Sequence, residues 1–162
     1  MHRHDTGVNP MENPSKKRIL VIEDNAAFLN MLKIRLELNG YDVLTSLDGV
    51  NGLEMVRRCK PDLVILDLTL PDMNSSGESD MNSLDKSLGH KVCRMIKFDQ
   101  QYKSIPVLIL TASDTVDDEE TARHVGADAY LVKTLPTDQM LAKVRELLDR
   151  SKKISRFPSP AG

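Results

Sequence analysis

Lys60-Pro61-Asp62-Leu63-Val64-Ile65-Leu66-Asp67-Leu68-Thr69-Leu70-Pro71-Asp72-Met73 is the stretch on which the fold turns. At its centre four apolar residues, Leu63 to Leu66, stop abruptly at the carboxylate of Asp67, with a proline break on either side. A run this short, apolar at every position and bounded by turn residues, reads as a strand buried on both faces, the kind that parallel sheets contain. The same design occurs three more times. Ile19-Leu20-Val21-Ile22 runs into Glu23-Asp24, Val107-Leu108-Ile109-Leu110 into Thr111, and Ala129-Tyr130-Leu131-Val132 into Lys133. In an open parallel sheet, ligands bind outside the carboxyl ends of the strands. Three carboxylates, a hydroxyl and an ammonium are therefore expected in one crevice.

Helical spacings fill the gaps. Asn25 is placed to cap a helix with Phe28, Leu29, Leu32 and Leu36 on its apolar positions, ending at Asn39-Gly40. Tyr41 to Ser46 mixes polar and apolar residues and suits an edge strand. Asp48-Gly49 opens a helix to about Cys59, and Asp114 or Thr115 starts one that ends at His124-Val125-Gly126. A last helix runs from about Pro136 through Met140, Leu141, Val144, Leu147 and Leu148. With a third helix around Val92, Met95 and Ile96, five strands alternate with five helices, the signature of βαβ units. Right-handed crossovers put helices on both faces, so the predicted class is a doubly wound α/β fold.

Around that core, residues 1–16 are polar, aperiodic and carry Pro10 and Pro14, which reads as a disordered leader. The domain is expected over 17–150, and 151–162 reads as a flexible tail with no second domain after it. Residues 75–88 break the pattern. They are turn-rich and acidic, yet Leu84, Leu88 and Val92 keep a helical spacing. The third helix thus has two readings. It starts after a Ser83 cap with Gly89 inside it, at a cost of about 1 kcal/mol, or it starts only after Gly89.

Composition narrows the function. A chain of 162 residues with 40% hydrophobic and 28% charged content has the makeup of one ordinary globular domain. Its formal net charge of −2 shows no basic excess for nucleic acid or an anionic membrane surface. With 4% aromatics and no Trp there is little to stack on single-stranded nucleic acid. Neither a nucleic-acid nor a membrane partner is expected. The two cysteines, Cys59 and Cys93, read as free thiols, and with no apolar stretch behind Met1 to suggest a secretory signal, the expected location is cytoplasmic.

Carboxylates converging at strand ends repel one another and stay ionised together only with a cation between them. Oxygen-rich sites of this kind suit Mg²⁺. A lysine adds a positive charge aimed at an anion, and a threonine hydroxyl adds a donor. Together these groups would stabilise a phosphoryl group carried on one aspartate. Taken singly, Asp24 or Asp67 could be a solvated strand end or helix cap, Lys133 a surface charge, Thr111 a cap and Tyr130 a packing residue. For all of these ordinary roles to coincide at four matched strand ends is a poor account of the pattern.

Four stretches also carry a family resemblance: Ile19 to Asn25, Lys60 to Met73, Pro106 to Ala112, and Gly126 to Lys133. In order and separation, from Lys17 to about Arg150, the chain resembles the response-regulator receiver domain of two-component signalling. The resemblance implies a flavodoxin-like sheet of strand order 2-1-3-4-5. It makes Asp67 the phosphoacceptor and assigns a Mg²⁺ ion, with Mn²⁺ as a substitute, to Glu23, Asp24, Asp67 and the backbone carbonyl of Thr69. Lys133 and Thr111 would contact the phosphoryl group, with Thr111 and Tyr130 as the switch pair. The implied partners are a sensor histidine kinase or phosphotransfer protein and a downstream protein target, met through a helix 4/strand 5/helix 5 surface. No enzyme activity is implied beyond the chain's own phosphorylation and dephosphorylation.

Two local features depart from the family pattern. Thr134 follows Lys133 where the family carries proline, often with a cis peptide bond. The glycine that usually follows the Asp67–Pro71 turn is displaced to Gly89, which makes 75–88 an insertion near the phosphoryl site. A phosphorylation-independent interaction module on the same fold is the competing reading. A phosphohydrolase of the haloacid-dehalogenase type would want a second aspartate two positions after Asp67, and Thr69 stands there.

Overall fold

The computed structural model describes residues 15–71, 87–112 and 115–155, with side chains described through 151. Among the described residues ten elements alternate: β1 (Arg18–Ile22), α1 (Ala26–Leu38), β2 (Asp42–Ser46), α2 (Gly49–Cys59), β3 (Leu63–Leu66), α3 (Leu88–Lys97), β4 (Val107–Thr111), α4 (Val116–His124), β5 (Ala129–Val132) and α5 (Thr137–Ser155). The strands form one parallel sheet in the order β2-β1-β3-β4-β5. This is the doubly wound, flavodoxin-like class.

Alternation along each strand divides the core in two. Ile19, Val21, Leu63, Ile65, Leu108 and Leu110 face α1 and α5, where Leu32, Leu36, Val144 and Leu147 meet them. Their neighbours Leu20, Ile22, Val64, Leu66, Val107 and Ile109 face α2, α3 and α4, against Val56, Val92, Cys93 and Ile96. Because a strand's side chains point alternately to opposite faces, a central strand covered on both sides must be apolar throughout. All residues of β3 and β4 are accordingly buried. At the edges, β2 is half-exposed at three of its five positions and β5 at all four.

Helix boundaries follow local chemistry. Asn25 caps α1, its Oδ1 accepting from the Phe28 N–H at 3.0 Å, and Asp48 and Thr115 do the same for α2 and α4. Beyond α1, Gly40 takes a positive φ of 88°, the left-handed turn with which many helices end and which glycine adopts without a Cβ penalty.

The start of α3 keeps Gly89 inside the helix, as the first sequence reading has it, but moves the cap from Ser83 to Ser87 and overturns a start after Gly89. Ser87 is the N-cap, in extended conformation, and Leu88 the first helical residue. Ser87 and Leu88, counted in the insertion, therefore belong to the helix, while the remainder of that stretch, Ser83 and Leu84 included, lies outside the described residues. Gly89 is inside the helix for a steric reason. A Cβ there would lie 2.5 Å from the Asp67 carbonyl oxygen and 2.6 Å from Leu68 Cα. Glycine lets the first turn of α3 rest on the backbone that follows β3.

At the other end α5 continues to Ser155, into the stretch expected as tail. The remainder of that stretch, and nearly all of the expected leader, fall outside the described residues.

Candidate functional site

Sheet register assembles the site. Ile22 pairs with Leu66 across β1 and β3, so Glu23 and Asp67, the next residues, emerge side by side. The Asp67 N–H donates to Ile22 O at 3.1 Å and the Glu23 N–H to Ser46 O at 3.0 Å, extending the sheet's hydrogen bonding past the strand ends. Thr111 pairs with Val132 across β4 and β5. Lys133 follows directly, its N–H donating to Thr111 O at 2.7 Å. These are the four strand ends singled out in the sequence, and they meet.

The side chains converge as well. Lys133 Nζ lies 2.6 Å from Glu23 Oε2 and 3.1 Å from Asp67 Oδ2. Both carboxylates are 2% exposed, so the ammonium bridges two charges that water does not screen. Asp24 is exposed at the rim. Oxygens of Glu23, Asp24 and Asp67 all fall within 4.8 Å of one another. A set of three carboxylates this close is the donor chemistry of a hard divalent cation, and the residues present fit one.

Burial, the largest influence, raises the Glu23 carboxyl above its ordinary range, while hydrogen bonds from Lys133 and from the Asn25 N–H pull it back. For Lys133 burial works against the charge. It is outweighed by the hydrogen bond to Glu23 and the attraction of Asp67, which hold the ammonium above the usual lysine range.

Thr69 contributes in a way the sequence did not suggest. Its N–H and Oγ1–H both donate to the Asp67 carboxylate, at 3.1 Å and 3.0 Å to Oδ1. Asp67 is thus oriented by its own turn as well as by Lys133. Thr111 is buried at the end of β4. Tyr130 is half-buried on β5 against the core facing α2, α3 and α4. Two residues have roles at the site that sequence reasoning did not assign. Phe28, marked there as a core position, lies with its ring centroid 4.5 Å from Lys133 Nζ. Ser87 donates from its hydroxyl to Leu68 O and meets His90 Nδ1 at 2.7 Å, tying α3 to the turn after Asp67. A Ser two residues before a Gly is the only local hint of that cap. The peptide bond after Lys133 is trans, since the described residues contain no cis bond.

The family model of the response regulator receiver domain matches residues 19–145. The chain belongs to the response regulator receiver family. The DNA-binding dual master transcriptional regulator RpaA of Synechocystis sp. is 37% identical over 137 residues, 85% of this chain and 51% of that protein. Response regulator MprA of Mycobacterium leprae is 36% identical over 135 residues, 83% of this chain and 52% of the relative. The chain thus spans about half the length of the curated relatives it matches. Among solved structures, a CheY-like receiver domain protein from Methanospirillum hungatei superposes with a TM-score of 0.72 at 26% identity, covering 86% of this chain and 98% of that one. The BeF3-activated N-terminal receiver domain of RstA from Klebsiella pneumoniae gives a TM-score of 0.68 at 28% identity, covering 82% of this chain and 98% of its own.

Proposed function

We propose that this chain is a phosphorylation-dependent switch that accepts a phosphoryl group on Asp67. The observation that carries the reading is the Lys133 ammonium seated 2.6 Å from Glu23 and 3.1 Å from Asp67 at the carboxyl edge of the sheet. An Asp67 oxygen attacks the phosphorus of a kinase or phosphotransfer-protein phosphohistidine. The new O–P bond forms as the P–N bond breaks, and the imidazole leaves with a proton. Lys133 is placed where negative charge gathers on the phosphoryl oxygens, a position in which a preorganised cation lowers the barrier. The Thr69 donors keep Asp67 oriented for attack.

Glu23, Asp24, Asp67 and the Thr69 backbone carbonyl would hold Mg²⁺, with Mn²⁺ as substitute. When bound, the ion supplies positive charge to offset that of the phosphoryl oxygens. Water later cleaves the acyl phosphate, so the chain turns over only its own modification and is not an enzyme toward other substrates. Thr111 and Tyr130 form the switch pair, and the surface of α4, β5 and α5 meets the downstream target. The setting is cytoplasmic, supported by free Cys59 and Cys93; among the described residues no helix is long and apolar enough to cross a membrane. The curated relatives include a DNA-binding regulator, so contact with nucleic acid belongs to what a longer protein could add.

Incubation with acetyl phosphate and Mg²⁺, followed by intact-mass measurement, tests the proposal. The parent gains one phosphoryl group and Asp67→Asn gains none. Modification of Asp67→Asn would remove Asp67 as the phosphoacceptor, and an unmodified parent that is fully folded would leave the interaction-module reading in its place.

A further inference from the structure

Lys133 is held from two sides, and only one of them is acidic. Glu23 and Asp67 take its ammonium on the sheet side. On the other, the Phe28 ring lies 4.5 Å from Nζ, within the roughly 6 Å over which a cation is drawn to an aromatic face. Phe28 is the third residue of α1, and its placement is not left to chance. Its N–H is fixed by the Asn25 cap at 3.0 Å, and the Asn25 N–H in turn donates to Glu23 Oε1 at 3.1 Å. Glu23, the cap of α1 and the Phe28 backbone are therefore joined by one run of hydrogen bonds.

Farther along α1, Arg35 donates to Thr137 Oγ1 at 2.6 Å, securing the far end of the loop that begins at Lys133. Within that loop Leu135 N–H donates to Val132 O at 3.0 Å. This is the loop in which Thr134 stands in place of proline and the peptide bond after Lys133 is trans.

We propose that Phe28 is a positioning residue for phosphoryl transfer, holding the Lys133 ammonium over the crevice through its ring face. The inference rests on the phosphoacceptor reading and deepens it. A bound cation would draw on the Glu23 and Asp67 carboxylates, and a phosphoryl group would take an Asp67 oxygen as its bond, so neither acidic partner would hold Lys133 unchanged. The ring is neutral and competes for neither metal nor proton. Its attraction for the ammonium persists while the carboxylates are being taken over, and its bulk keeps water from that side of Nζ. Lysine is a flexible point charge on a four-carbon stem, so a fixed platform beneath it limits where that charge can go.

The test compares the parent with Phe28→Leu and Phe28→Tyr, using acetyl phosphate and Mg²⁺ as the probe. In the reaction followed, an O–P bond forms at Asp67 as the P–O bond of acetyl phosphate breaks and acetate leaves. Phe28→Leu keeps the apolar packing but loses the ring, and its phosphorylation slows by roughly 3- to 30-fold, the range of a partly desolvated cation–π contact. Phe28→Tyr restores a rate near that of the parent. In carbon-edited NMR spectra the Lys133 Hε resonances are shifted upfield by the ring in the parent and in Phe28→Tyr, and return toward ordinary lysine positions in Phe28→Leu. A parent rate in Phe28→Leu, or equal slowing in both variants, overturns the proposal. A parent that takes no phosphoryl group defeats the phosphoacceptor reading instead. The Lys133 resonances still report then, and an unshifted Hε signal in the parent would remove the ring contact on which the inference depends.

Discussion

Lys133 stays charged although its side chain is only 18% exposed, because Glu23 and Asp67 outweigh the cost of burial. Since its folded-state value lies above the ordinary 10.5, the share of stability that depends on the ammonium is present below that pH and is lost as the solution becomes more alkaline still. On the acid side the bridge is lost when its carboxylates take up protons, and burial raises the Glu23 carboxyl toward that loss. Cys93 shows the opposite balance. Burial pushes its thiol up to about 12, with Lys97 offsetting only part of the effect, and its Sγ donates to Val125 O at 3.7 Å. A thiol with that value is ionised in roughly one molecule in ten thousand at pH 8. Disulfide exchange with an aromatic thiol reagent at pH 8 should therefore label half-buried Cys59 alone in the native protein. Both thiols should react after unfolding in urea. Equal native rates would contradict the burial argument.

At the scale of elements, the contact between α3 and the end of β3 links packing to chemistry. Ser87 caps the helix and donates to Leu68 O, and Gly89 allows the first turn to approach the Asp67 backbone. Gly89→Ala places a methyl group 2.5 Å from the Asp67 carbonyl oxygen. Backbone there cannot swing aside as a long side chain would, so α3 must lift or the turn after β3 must move. Overpacking of this kind costs about 1–3 kcal/mol, expected as a lower urea midpoint accompanied by slower phosphorylation of Asp67. A variant as stable as the parent would show that α3 moves away without cost. The position of α3 was hard to read beforehand because Leu84, Leu88 and Val92 share one helical spacing, and spacing by itself does not say where a helix begins. What sets the start is the Ser87 hydroxyl meeting a carbonyl nineteen positions away, a partner no local window contains.

Across the whole molecule, the site exists only because β1, β3, β4 and β5 end together, with α1 returning beneath them. On the proposed reading, three carboxylates with oxygens within 4.8 Å of one another would make the folded protein a better host for Mg²⁺ than the unfolded chain. At a tenfold excess over a dissociation constant on the order of millimolar, binding should add about 1.4 kcal/mol of stability. Urea titrations with and without Mg²⁺ would measure it. Asp24→Ala should lose most of the gain while keeping the parent's stability in chelator, because Asp24 is exposed and the Lys133 bridge runs through Glu23 and Asp67. An undiminished gain in Asp24→Ala would remove it from the donor set. Strand positions, helix caps at Asn25 and Asp48, with Thr115 one of two candidates for α4, and the strand ends at Glu23, Asp67, Thr111 and Lys133 were legible in the sequence, since apolar runs, capping residues and strand ends are local signals and parallel topology supplies the rest. The sequence by itself thus determined which chemistry-bearing residues meet. Only the tertiary structure decided how they meet: the trans bond after Lys133, the Thr69 hydroxyl on Asp67, the start of α3 and the Phe28 ring beside an ammonium. Lys133 and Asp67 stand 66 positions apart, and the geometry between such groups depends on how helices cross the sheet and which side chains then share a volume, which no local periodicity records.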